Sequence, residues 1–219
     1  MEIPIIDLYN LANANSSLEV TAAIRKACLD FGFFYVVNHG IADDLQAKVL
    51  EKLWQFFNLP VSKKEEIHRR DGFRGYFSKE EEHSIEYGCT EWKEGIYYFR
   101  EFTNVPKERK ETVFCGFNPW PSGEYVPEFQ DVMQEYFKRT QELASKLLSC
   151  IALSLGINTL CMVQFYLLPS PPRAHPRGFA ILFSLGGLVP TPGHAERDNS
   201  PPPGLLIDHK YVVLCTKQR

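Results

Sequence analysis

Phe129, Met133, Tyr136, Leu143, Leu147, Ile151 and Leu155 recur at spacings of three, four or seven residues and stop at Gly156. That stripe predicts one helix from Pro127 to Leu155, about 44 Å long at 1.5 Å per residue. Proline suits the first turn of a helix, and glycine the left-handed position just past its end. A helix longer than most in globular domains acts as a spine. Whatever else the chain forms has to cover its apolar face.

The residues before it supply short elements. Ile3 to Leu8 is β-branched and apolar and reads as a strand. Ser16 and Ser17 offer an N-cap to a helix whose apolar positions are Val20, Ala23, Ile24, Ala27, Cys28 and Phe31, with Gly32 as its C-terminal stop. Phe33 to Val37 reads as a buried strand that turns at Asn38-His39-Gly40. Asp43 and Asp44 start a second helix with Leu45, Val49, Leu53 and Phe56 on one face, closed by Pro60. Ser62-Lys63-Lys64-Glu65 has the form of a capping box and predicts a short third helix. Residues 72 to 103 read as strand and loop, and Asn118-Pro119-Trp120-Pro121 is barred from helix by its prolines.

The composition changes after Gly156. Nine of the fifteen prolines lie in residues 157 to 219, which carry six Lys/Arg against three Asp/Glu. Pro169-Ser170-Pro171-Pro172 and Pro201-Pro202-Pro203 are linker-like, and only Phe179 to Leu185 and Leu205 to Leu214 read as strands. The expected boundary therefore falls near residues 156 to 160, with 1–157 as one region and 158–219 as an atypical Pro-rich tail.

Totals exclude several classes of function. A net charge of −3 offers no basic field for nucleic acid or an anionic membrane. The longest near-apolar run, Phe179 to Val189, falls short of the ~20 residues a bilayer needs, and Met1 leads into a strand rather than a signal sequence. Six cysteines, at 28, 89, 115, 150, 161 and 215, never form a Cys-x-x-Cys pair, which argues against zinc ribbons and fits a reducing compartment. The expectation is a soluble, cytoplasmic chain without nucleic-acid or membrane partners.

Seven segments in order resemble the isopenicillin N synthase-like branch of the iron(II)/2-oxoglutarate oxygenases. They are Ile3 to Leu8, Ala27 to Ile41, Phe56-Phe57-Asn58-Leu59-Pro60, Arg74-Gly75-Tyr76, Glu91-Trp92-Lys93-Glu94, Asn118-Pro119-Trp120-Pro121 and the helix end Ile151 to Ile157. Packing and turn chemistry account for each as scaffold. The resemblance implies an α+β fold, helices packed on a double-stranded β-helix, or jelly roll. It also implies an oxidoreductase that uses Fe(II), O₂ and 2-oxoglutarate on a small organic substrate. Its metal site would be a His-x-Asp pair on one strand with a distant second His, holding iron on one face. An Arg-x-Ser pair would receive the co-substrate.

This chain departs from that pattern. His175-Pro176-Arg177 precedes a strand-like run, as the metal strand should, yet has a cation where the carboxylate belongs. His194-Ala195-Glu196 has the spacing but lies among turn residues, and the one later histidine, His209, follows too soon. His39 has no carboxylate at a useful spacing and reads as a hydrogen-bonded turn histidine. No Arg-x-Ser pair occurs in the tail. No catalytic, cofactor-binding or metal residue is therefore assigned, and neither Fe(II) nor 2-oxoglutarate is expected to bind this chain. The jelly roll should be incomplete and the enzyme truncated and impaired. The alternatives are an active oxygenase that uses a different ligand set, a non-catalytic remnant that self-associates or pairs with a full-length relative, and a poorly folded product.

Overall fold

The computed structural model describes residues 2–9, 11, 14–69, 74–78, 81, 83–84, 89–90, 94–99, 101, 116–158, 180–184 and 211–214. Its elements are β1 (Ile5–Asp7), α1 (Ala14–Asp30), β2 (Phe33–Val37), α2 (Asp43–Phe57), α3 (Val61–Lys64) with a 3-10 turn (Glu65–Ile67), β3 (Gly75–Phe77), β4 (His83–Ser84), β5 (Cys89–Thr90), β6 (Gly95–Phe99), α4 (Phe129–Ser154), β7 (Ala180–Ser184) and β8 (Tyr211–Leu214). The fold is thus mixed helix and strand. Its contacts divide the chain into two units, Met1–Lys48 with Gln134–Pro169 and Leu205–Arg219, and Val49–Met133 with Ser170–Gly204.

In the first unit β2 is central, parallel to β1 (Ile5 opposite Tyr35) and antiparallel to β8 (Phe34 opposite Val213). Helices α1 and α4 complete an aliphatic core of Ile6, Leu8, Ile24, Ala27, Phe34, Val36, Ile41, Leu143, Leu147 and Cys150. The spine helix ends as its sequence predicts. Gly156 sits at φ 69°, its N–H donates to Leu153 C=O, and Ile157 N–H donates to Ala152 C=O at 2.9 Å, the paired closure that a left-handed glycine permits.

In the second unit β6 is central, antiparallel to β3 (Tyr76 opposite Ile96) and to β7 (Tyr97 opposite Leu182). A two-stranded ladder joins β4 to β5. Phe56, Tyr76, Phe77, Ile96, Tyr98 and Phe129 are buried. The Phe56 ring meets Tyr76 edge-on at 6.0 Å and Phe129 tilted at 5.7 Å, and the Tyr98 ring lies tilted against Trp120 at 4.3 Å.

Both tail segments expected to form strands do so, at β7 and β8. Three expectations at helix starts fail, the first at α4, which begins at Phe129 rather than Pro127 because Glu128 sits at φ 59°, outside the helical region. Helix α1 begins at Ala14, so Ser16 and Ser17 lie inside it, because the turn closed by Leu11 N–H to Leu8 C=O delivers the chain to helix earlier. Helix α3 begins at Val61 with Pro60 as its cap and no side-chain capping bond. Pro60 C=O already accepts from Lys63 N–H at 2.9 Å, which places Ser62 within the first turn.

Candidate functional site

Polar side chains converge in three places within the second unit. In the first, α3 ends on Lys64, a buried residue whose Nζ reaches Glu94 Oε2 at 2.6 Å and donates to Phe57 C=O at 3.2 Å. The Tyr76 hydroxyl donates to the same Glu94 oxygen at 2.6 Å. Burial, and then the Glu94 carboxylate, push the Tyr76 hydroxyl well above its ordinary range, so it acts as a donor.

A second network surrounds Glu81. Its Oε1 accepts from both Ser78 N–H and Ser78 Oγ at 2.6 Å, its carboxylate lies 3.0 Å from His68 Nε2, and Arg69 Nε donates to it at 3.5 Å. Burial pushes this carboxyl up, but the Ser78 hydroxyl and N–H and the His68 ring outweigh burial and hold it at about 2. This Ser-x-x-Glu makes one half of the capping contact expected at Ser62 and Glu65, the glutamate carboxylate accepting from the serine N–H. Arg69 also lies over the Phe77 ring at 4.7 Å, and Phe77 stacks on Tyr97 at 5.1 Å.

Asn118 builds the third. Its Oδ1 accepts from Phe99 N–H at 3.0 Å and from Arg74 Nη1 at 2.7 Å, while its Nδ2 donates to Phe99 C=O at 2.7 Å. Phe99 lies two residues beyond Tyr97, where pairing with β3 stops. The amide therefore offers β6 one donor and one acceptor, as a further strand residue would. Glu101 accepts from Asn118 N–H at 2.7 Å and from Trp120 Nε1 at 3.3 Å. Gly75 fits this corner for want of a side chain, since a Cβ there would stand 2.3 Å from Ile67 C=O and 2.9 Å from Pro119 Cγ.

These networks hold three segments of the family resemblance together: Arg74-Gly75-Tyr76, Glu94 and Asn118-Pro119-Trp120. Sequence patterns flagged the segments but not their partners. His39 is the turn histidine expected, buried with Nδ1 accepting from Ile41 N–H at 3.1 Å. His175, Arg177, His194, Glu196 and His209 lie outside the described residues. Among the described residues no three His, Cys, Asp or Glu side chains form a group that could hold a metal. Among them, too, no helix is long and apolar enough to cross a membrane.

Comparison with known proteins agrees with the segments just described. A family model described as the N-terminal region of non-haem dioxygenases in morphine synthesis matches residues 3–123. Homoarginine-6-hydroxylase 2-ODD-C23.2 of Arabidopsis thaliana is 34% identical over 167 residues, covering 70% of this chain and 45% of that protein. Putative inactive flavonol synthase 2 of the same plant is 32% identical over 167 residues, covering 74% and 58%. The crystal structure of a full-length Neurospora crassa protein in complex with alpha-KG superposes with a TM-score of 0.61 at 25% identity, covering 75% of this chain and 50% of that one. The chain belongs to the non-haem iron(II)/2-oxoglutarate oxygenase family, and the match lies in that family's N-terminal region. It spans about half the length of the curated relatives it matches.

Proposed function

We propose that residues 1–157 are the N-terminal region of an oxygenase acting on a small organic molecule, and that residues 158–219 stand in place of its iron- and 2-oxoglutarate-binding barrel half. In this reading the helices and sheets are those of an incomplete jelly roll, and the chain by itself is catalytically impaired. One observation carries the proposal: in the metal-strand candidate His175-Pro176-Arg177 a cation, Arg177, occupies the position of the carboxylate ligand. A relative named as an inactive synthase is in keeping with it. Partners on this reading are a second copy of the chain or a full-length relative.

Calorimetric titration of the purified chain with Mn(II), alongside an assay for succinate release from 2-oxoglutarate, tests the proposal. No one-to-one binding at micromolar affinity and no turnover above background are expected, and Arg177→Asp should raise affinity only modestly, since two ligands hold the ion weakly. Tight stoichiometric binding that is lost in His194→Ala would overturn it.

A further inference from the structure

We draw no further inference here: the strongest candidate, the exposed apolar side chains Leu153, Leu155 and Ile157 at the C-terminal end of α4, carries nothing because nothing in the structure shows what covers them.

Discussion

The unit containing Met1–Lys48 and Gln134–Pro169 fills its core mainly with aliphatic side chains, whereas the unit containing Val49–Met133 packs aromatic rings around buried Lys64, Arg74 and Asn118. The first arrangement tolerates local error, because each side chain contributes through the area it removes from water. The second is set by pairing. A buried charge or amide is neutral in effect only while its partners stay in place, and removing one partner exposes the full desolvation cost of the other. Stability in the second unit should therefore depend on a few polar contacts in a way that stability in the first does not.

The largest expected effect tests that contrast at Lys64. Glu94→Leu leaves a buried ammonium without its carboxylate and should cost about 3–5 kcal/mol in urea denaturation. Leu143→Ala, in the aliphatic core, should cost about 2–5 kcal/mol through its cavity. The two differ in what repairs them. Adding Lys64→Met to Glu94→Leu removes the stranded charge, so the double variant should regain most of the loss. Additive losses would mean that the pair is not coupled, and the contrast between the units would fail.

Asn118 comes next. Asn118→Ala deprives Phe99 N–H, Phe99 C=O and Arg74 of one partner each, with an expected loss of about 2–3 kcal/mol. Hydrogen exchange should show faster exchange at the Phe99 amide, while amides of β2 stay protected. Asn118→Asp keeps the acceptor and loses the donor, so its loss should be smaller. Equal exchange rates in wild type and Asn118→Ala would show that the amide does not serve as a strand surrogate.

This difference also decides what the sequence discloses. The α4 stripe and the strand Phe33 to Val37 are periodic, and periodicity is local information that survives without knowledge of the fold. Gly156 was legible for the same reason, since its helix defines where a left-handed residue is needed. The networks were not. Lys64 and Glu94 are 30 residues apart, and Arg74 and Asn118 are 44 apart. No spacing rule joins such residues. Ser62-x-x-Glu65 and Ser78-x-x-Glu81 make the same point: Pro60 caps α3 two residues ahead of Ser62, while Ser78 follows β3 and is free to close the contact. Family resemblance located the segments, and only their packing assigned partners.

Glu81 yields a smaller, pH-dependent effect. Its folded carboxyl is held at about 2 against an ordinary 4.5. A depressed folded value means that the unfolded state takes up a proton first. The contribution is therefore complete above pH 4.5 and is lost as pH falls towards 2. With the side chain partly exposed, solvent screening leaves on the order of 1–2 kcal/mol. Glu81→Gln should lower stability at pH 7 by about that amount. It should also flatten the stability profile between pH 4.5 and pH 2 relative to wild type. An unchanged slope would indicate that the ring of His68 and the Ser78 donors do not favour the ionised form.

The smallest effect has the opposite sign, and it probes whether polarity in the second unit always depends on pairing. Tyr98 is almost wholly buried, and its hydroxyl has no hydrogen-bond partner among the described residues. Its ring does the packing, 4.3 Å from Trp120 and 6.3 Å from Phe129. Tyr98→Phe keeps those ring contacts and removes the unsatisfied donor, so stability should stay level or rise by about 1 kcal/mol. The contrast with Asn118→Ala is then one of sign within a single unit: loss of a paired amide destabilises, and loss of an unpaired hydroxyl does not. A loss above about 1 kcal/mol in Tyr98→Phe would mean that the hydroxyl is satisfied in solution, by a buried water or by a residue outside those described. Tyr98 would then join Lys64 and Asn118 among the residues whose partners hold the unit together.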